Sequence, residues 1–209
     1  IGSTDVHKDL QSLTHVWQAL DEGGADRHSC LVNLGGGMVT DLGGFAASTF
    51  KRGIDFINIP TTLLSMVDAS VGGKTGINFN GLKNEVGVFN DSRYVILDTH
   101  FLRTLDDQNM RSGYAEMLKH GLISDEKTWA ELLRFDLGHP DLPRLQTLVA
   151  KSVQVKERVV KLDPHEKGLR KALNYGHTFG HAFESFSLKH HHEGEAPILH
   201  GYAVAYGLI

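Results

Sequence analysis

An apolar run that ends in three glycines and passes directly into a helical pattern constrains the fold of this chain most strongly. The run is CLVNL (30–34), residues 35–37 are the glycines, and apolar residues recur at helical spacing from Val39 to Phe50. A buried strand, a glycine turn and a helix make up the repeating unit of α/β proteins. The same rhythm continues through two more predicted strands, 54–59 and 94–98, with a predicted helix at TTLLSMVDASV (61–71).

The pattern changes after Asp98, where five segments in succession show apolar residues at helical spacing. These segments are 106–123, 125–135, 142–162, 168–187 and 200–209. We therefore predict two domains, an α/β domain over residues 1–100 and an all-helical domain over residues 101–209. A cleft between two such domains is a usual place for a ligand site.

Composition excludes several classes of protein. A formal net charge of −4 argues against a nucleic-acid binder. A single cysteine, Cys30, excludes an internal disulfide and favours a reducing, cytoplasmic setting. The sequence has neither a secretory signal nor an apolar run of the roughly 20 residues that a membrane helix needs. Because the chain begins without Met and stops without a polar tail, we expect an internal piece of a longer protein.

The glycine turn LGGGMVTDLGG favours a phosphate site no more than it favours a tight turn. Backbone N–H groups at the start of a helix bind phosphate readily. However, Gly35 and Gly37 match only the start of a dinucleotide fingerprint, because Thr40 occupies the third glycine position. The alternative is a turn that needs positive φ.

A second glycine motif, DASVGGKTG (68–76), is not a nucleoside-triphosphate loop. Asp68 stands where the first glycine of that loop is required, and the motif follows a helical pattern instead of a strand. Lys74, surrounded by glycines, remains a candidate for contact with an anion.

Glu116 and Lys119 lie one helical turn apart in AEMLKHG, which by itself favours a surface ion pair. Their apolar and glycine neighbours favour instead a buried helix. A buried carboxylate needs a partner, and a metal ion is one candidate.

The polar residues in the segment 168–187 are spaced four, three and four apart: Arg170, Asn174, His177 and His181. In one continuous helix this spacing places them on a single stripe, which predicts a site. Metal donors available to such a site are Glu116, His177, His181 and His200, and spacing alone does not select three of them. The triplet His190–His192 is expected in a solvated loop.

Several long motifs, in order along the chain, resemble the 3-dehydroquinate synthases of the sugar-phosphate cyclase family. They are LGGGMVTDLGGF, RGIDFINIPTTLLSMVDASVGGKTGIN, KNEVGVF, GYAEMLKHG, LNYGHTFGHA and LHGYAVA. The resemblance implies a Rossmann-like NAD-binding domain, a helical metal-binding domain and a homodimer. It also implies conversion of 3-deoxy-arabino-heptulosonate 7-phosphate to 3-dehydroquinate and phosphate, with catalytic NAD and zinc or cobalt, a step toward aromatic amino acids.

The resemblance assigns residues by motif position. The metal ligands fall on Glu116, His177 and His200. Partners of the substrate phosphate fall on His181, Lys74, Asn84 and Arg52, with Arg52 reaching across the dimer interface. Partners of the substrate carboxylate and hydroxyls fall on Asp68, Lys119, Lys156, Arg170 and Asn174. The NAD site falls on Asp5, Lys8, Gly36, Gly37, Asp41, Thr61 and Thr62.

The sequence departs from the family pattern at two places, and three other functions compete with 3-dehydroquinate synthesis. Tyr202 stands where many members have a glutamate, and the stretch between His181 and His200 is longer than usual. The rivals are a cyclase that makes inosose or valiolone rings, a metal-dependent polyol dehydrogenase, and a non-catalytic metal-binding domain. Lys156, Arg170 and Asn174 favour a substrate that carries a carboxylate.

Overall fold

The computed structural model describes residues 1–2, 4–190 and 197–209. It divides into two compact units. One, the α/β unit, comprises Ile1–Thr61 and Ala69–Asp98; the other, the helical unit, comprises Thr62–Asp68 and Thr99–Ile209. The predicted fold class, an α/β part followed by a helical part, is confirmed.

The α/β unit is built around a parallel sheet whose strand order is β1-β2-β5. Its elements are α1 (Leu10–Glu22), β1 (Cys30–Gly35), α2 (Gly37–Thr49), β2 (Asp55–Pro60), β3 (Lys74–Phe79), β4 (Leu82–Phe89) and β5 (Tyr94–Val95). β1 and β2 pair in register from Cys30↔Asp55 to Gly35↔Pro60. The core consists of apolar residues from α1, α2 and the strands: Leu13, Leu42, Phe45, Ala46, Ala47, Ile54, Phe56 and Ile77.

The glycine turn after β1 serves close packing. None of Gly35, Gly36 and Gly37 has positive φ, so the interpretation as a positive-φ turn is wrong. A Cβ on Gly35 would lie 2.7 Å from Cγ2 of Val39, which leaves no room for a side chain there.

The hairpin β3–β4 and helix α1 are elements that the sequence patterns above do not predict. Asn80 and Gly81 form the turn between β3 and β4, and both have positive φ, 49° and 76°. An Asn-Gly pair is the strongest short-range signal for such a hairpin, so this signal was available in the sequence. The third strand is shorter than predicted, at two residues.

The helical unit contains α3 (Asp107–Ser124), α4 (Glu126–Leu133), α5 (Leu142–Leu162), α6 (His177–His190) and α7 (His200–Gly207). Aspartates begin three of these helices, because the side chains of Asp106, Asp125 and Asp141 each accept a hydrogen bond from the backbone N–H three residues on. In the part of the chain that the structure describes, every helix is too short or too polar to span a membrane.

Two predicted helices differ from what is observed. The segment at TTLLSMVDASV contains a π-helical turn, Ser65–Ala69, and Gly72 and Gly73 follow it with positive φ. The single helix predicted over 168–187 is wrong: a 3₁₀ helix, Leu169–Asn174, stops at Tyr175, and Gly176 (φ 80°) separates it from α6. Positive φ breaks a right-handed helix, so one stripe cannot run through both parts.

Glycines let α6 and α7 pack closely, which positions the histidines on both. A Cβ on Gly207 would lie 2.0 Å from the carbonyl oxygen of Gly176, and one on Gly201 would lie 1.8 Å from that of Ser112 in α3. A Cβ on Gly180 would lie 3.1 Å from the carbonyl oxygen of Ala203. The glycines of LNYGHTFGHA therefore allow another helix to approach closely.

Candidate metal and substrate site

The helical unit buries an ion pair in the middle of α3. Glu116 is 0% exposed and Lys119 is 1% exposed, and Lys119 Nζ contacts Glu116 Oε2. Neither carboxylate oxygen of Glu116 accepts a hydrogen bond of regular geometry from the described residues. Burial raises the pKa of Glu116, the charge of Asp68 raises it further, and Lys119 only partly offsets both effects. The interpretation of this pair as a surface ion pair is therefore wrong.

Two histidines face the buried carboxylate from the first residues of α6 and α7. Glu116 Oε1 lies 3.9 Å from His177 Nε2 and 3.7 Å from His200 Nε2. One ligand atom from each of the three residues lies within 4.8 Å of the other two. These are the residues for which the resemblance predicts metal binding, and the fold brings them together.

The protonation of His177 suits a metal ligand. Burial, helped by the charge of Lys119, lowers the pKa of His177 to about 4, so its imidazole is neutral near pH 7. Its Nδ1 lies 3.3 Å from the carbonyl oxygen of Tyr175, which leaves Nε2 on the side of Glu116. A carboxylate oxygen without a hydrogen bond beside imidazole nitrogens is a donor set that fits Zn²⁺ or Co²⁺.

Glu184 in α6 contacts the two other histidines. Its Oε2 lies 2.9 Å from His181 Nδ1 and 3.2 Å from His200 Nδ1. Burial lowers the pKa of His200, but the hydrogen bond with Glu184 and the charge of Glu116 outweigh this and leave that pKa raised. The sequence pattern does not single out Glu184; its position three residues after His181 is the available signal.

Asp68 and Lys156 form a second charged pair in the helical unit. Lys156 Nζ donates to both Asp68 Oδ1 and the Asp68 carbonyl oxygen. Burial alone raises the pKa of Asp68, but the charges of Lys156 and Lys119 hold it well below its ordinary value. The resemblance assigns both residues to substrate binding. Asp68 also lies close enough to Glu116 and His120 for the three to hold a metal ion together.

His120 and Ser152 are buried polar neighbours that the sequence does not reveal as a pair. His120 Nδ1 lies 2.7 Å from Ser152 Oγ, and His120 Nε2 is buried without a hydrogen bond from the described residues. Burial is the main cause that lowers the pKa of His120 to about 3. A neutral imidazole therefore lies beside the charged cluster.

The 3₁₀ helix holds Arg170 and Asn174 in different surroundings. Arg170 is 2% exposed and donates from Nη1 to the carbonyl oxygen of Pro164, at 2.7 Å. Asn174 is exposed and donates to Glu166 Oε1. The rings of His177 and His181, both in α6, have centroids 5.3 Å apart. The four residues of the predicted stripe thus divide into two pairs.

Residues predicted for NAD and phosphate lie in the α/β unit, apart from Thr62 and His181. Lys8 is 5% exposed, and its Nζ lies 3.0 Å from Asp41 Oδ2, 2.5 Å from Asn84 Oδ1 and 3.4 Å from Asp5 Oδ1. The structure therefore groups Asn84, predicted for the phosphate, with three residues predicted for NAD. Gly36 is the N-cap of α2, and the backbone N–H of Thr61 donates to the Gly35 carbonyl oxygen at 2.8 Å.

The remaining predicted residues occupy turns and element ends. Lys74 begins β3 and is exposed, Arg52 is exposed with φ of 70°, and Gly37 begins α2. Thr62 exchanges hydrogen bonds with Ser65 at the start of the helical turn that carries Asp68. His190 is the last residue of α6 and not part of a loop, while His191 and His192 lie outside the described residues.

Two family models together match the whole chain. One, for the N-terminal part of 3-dehydroquinate synthases, matches residues 1–112, and the other, for the C-terminal part, matches residues 113–209. The chain belongs to the 3-dehydroquinate synthase family. A 3-dehydroquinate synthase of Parabacteroides distasonis is 59% identical over 205 residues, which cover 98% of this chain and 57% of that protein. The chain thus spans little more than half the length of its curated relatives.

Solved structures of other sugar-phosphate cyclases share the fold. A 2-deoxy-scyllo-inosose synthase bound to carbaglucose-6-phosphate, NAD⁺ and Co²⁺ is 30% identical, with a TM-score of 0.89 over 100% of this chain and 56% of its own. A 2-epi-5-epi-valiolone synthase from Streptomyces hygroscopicus subsp. jinggangensis, bound to NAD⁺ and Zn²⁺, is 31% identical. Its TM-score is 0.84 over 100% of this chain and 57% of its own.

Proposed function

We propose that this chain carries the metal- and substrate-binding residues of a 3-dehydroquinate synthase. The reaction is conversion of 3-deoxy-arabino-heptulosonate 7-phosphate to 3-dehydroquinate and phosphate, with catalytic NAD and Zn²⁺ or Co²⁺, in a cytoplasmic homodimer. The observation that carries the proposal is the convergence of Glu116, His177 and His200 beside two buried lysines. Family membership and the cofactors of the two related cyclases support it.

Neighbouring groups set the charge and protonation of the proposed metal ligands. Lys119 offsets the charge of buried Glu116, and burial keeps His177 neutral, so both present lone pairs. When bound, the metal would supply a Lewis acid for substrate hydroxyls, and NAD would supply a hydride acceptor and donor.

The charges around the ligands favour a substrate with anionic groups. Glu116 and Asp68 are paired with Lys119 and Lys156, and Arg170 is a further buried cationic side chain of the helical unit. Arginine forms paired hydrogen bonds with a carboxylate. The heptulosonate carries a carboxylate, and the sugar phosphates used by the other cyclases do not. His181 is more than half exposed and is assigned to the substrate phosphate.

Phosphate release tests the activity. We expect the intact protein with NAD and Zn²⁺ to release phosphate from the heptulosonate phosphate and not from glucose 6-phosphate. Preference for glucose 6-phosphate would favour an inosose-type cyclase. Stoichiometric accumulation of NADH without phosphate release would favour a polyol dehydrogenase. If the protein forms neither phosphate nor NADH, the proposal is contradicted.

The division of the α6 histidines is tested by metal content. His177→Ala removes a ligand, so we expect it to lose Zn²⁺ and activity together. His181→Ala should lose activity by about 100-fold or more while Zn²⁺ stays bound, because that side chain positions the phosphate. Equal loss of Zn²⁺ in both variants, measured by atomic absorption after dialysis, would refute this division.

A further inference from the structure

Glu184 is a buried carboxylate to which neither the family resemblance nor the proposed reaction gives a role. It lies in α6 and is 6% exposed. A single oxygen, Oε2, contacts Nδ1 of His181 at 2.9 Å and Nδ1 of His200 at 3.2 Å. One carboxylate oxygen has two lone pairs, so it can accept both hydrogen bonds at once.

The contact with His200 fixes which nitrogen of that ring faces the metal ligands. Nδ1 is directed to Glu184, and Nε2 is directed to Glu116 Oε1 at 3.7 Å. A neutral imidazole that donates from Nδ1 keeps its lone pair on Nε2, and hydrogen bonds of this kind orient metal-bound histidines in proteins. Without the carboxylate, the ring can adopt the other tautomer or rotate away from Glu116.

Glu184 Oε2 also contacts the imidazole ring of His181, which lies beside that of His200. The centroid of the His181 ring lies 5.8 Å from that of His200. His181 follows one helical turn after His177, so its direction depends on α6, whereas His200 belongs to α7. Glu184, itself in α6, thus orients His181 within that helix and links α6 to α7 through His200.

We propose that Glu184 is a positioning residue that holds His200 with Nε2 toward the metal and holds His181 in a fixed orientation beside it. This inference rests on the metal site of the proposed function. On this inference Glu184 increases the affinity for the metal by orienting His200, although Glu184 is not itself a ligand.

Zinc affinity of the intact protein tests the inference, measured by competition with a chromophoric chelator. We expect Glu184→Ala to weaken Zn²⁺ binding by about 10- to 100-fold. Glu184→Gln keeps the size and one acceptor oxygen, so its loss should be smaller. The control is Glu131→Gln, which changes a partly exposed glutamate paired with Lys151 and should leave Zn²⁺ affinity unchanged.

Nitrogen-15 spectra of labelled histidine add a readout that a purely structural role would not move. In the zinc-bound parent, His200 should carry its proton on Nδ1, and in zinc-bound Glu184→Ala it should show mixed tautomers. Thermal unfolding without zinc establishes that each variant is folded. If Glu184→Ala does not fold, Glu184→Gln decides.

The outcomes separate this inference from the proposal on which it depends. A parent protein that binds no Zn²⁺ would overturn the metal site and the role of Glu184 with it. A parent that binds Zn²⁺, with folded Glu184 variants that bind it equally well and keep the His200 tautomer, would overturn the positioning role alone.

Discussion

Each unit of the chain buries a lysine, but only the helical unit also buries the carboxylate that pairs with it. Lys119 is 1% exposed and its partner Glu116 is 0% exposed. Lys8 of the α/β unit is 5% exposed, whereas the side chains of its partners Asp41 and Asp5 are 19% and 43% exposed. Water can therefore solvate the carboxylates around Lys8 if the lysine is removed, and it cannot reach Glu116.

The difference in exposure of the partner carboxylates shows that the helical unit is the part that buries charged groups at a cost to stability. A buried ion pair recovers little of the desolvation that both groups suffer, so burial of Glu116 and Lys119 is poorly explained by stability. A role in binding a cation and an anionic substrate explains it better. The two tryptophans, Trp17 in α1 and Trp129 in α4, allow the two units to be followed separately.

Removal of Lys119 is expected to have the largest effect. Lys119→Met removes one partner of a buried ion pair and leaves Glu116 desolvated, so the free energy of unfolding of the zinc-free protein should fall by about 3–5 kcal/mol. Urea unfolding followed by Trp129 fluorescence in a Trp17→Phe background measures it. Lys151→Met is the matched control, because its pair with Glu131 is partly exposed and should contribute at most about 1 kcal/mol. Equal costs for the two variants would contradict the comparison.

Acid is expected to weaken the helical unit through His120. Its pKa is about 3 in the folded protein against an ordinary 6.5, so below pH 6.5 the unfolded chain takes up a proton that the folded chain does not. Stability should therefore fall as the pH decreases from 6.5 toward 3, by up to about 1.4 kcal/mol per pH unit from this residue.

His120→Asn should remove that contribution from the pH dependence. Urea unfolding of the zinc-free protein at pH 7, 6 and 5 gives the slope for parent and variant. His139→Asn changes an exposed histidine in the same unit and serves as control. Parallel slopes for parent and His120→Asn would show that His120 takes up its proton in the folded state as well.

Removal of Lys8 is expected to have the smallest effect of the three. Lys8→Met should lower the free energy of unfolding by about 1–2 kcal/mol, because hydrogen bonds to charged groups are lost while the carboxylates regain water. Trp17 fluorescence in a Trp129→Phe background reports on this unit. A cost as large as that of Lys119→Met would mean that exposure of the partner carboxylates does not control the energy.

Local patterns predicted much of the fold because their causes lie close together in the sequence. The strand, glycines and helix at residues 30–49 and the helix over 142–162 follow from apolar spacing and turn residues. The Asn80-Gly81 turn carried a signal of the same kind. A break at Gly176 was not predicted, because glycine is tolerated inside a helix and only packing against α7 decides that it adopts positive φ.

The sequence by itself determined the fold class, the family and the residue types available for a site. The tertiary structure decided which of them meet: Glu116 with His177 and His200, Lys156 with Asp68, and Glu184 with two histidines. Spacing along the chain could not select three donors out of four, because ligand distances depend on how α3, α6 and α7 pack. Burial decided the rest, since the same Glu–Lys spacing gives an exposed ion pair on a surface and a desolvated ion pair in a core.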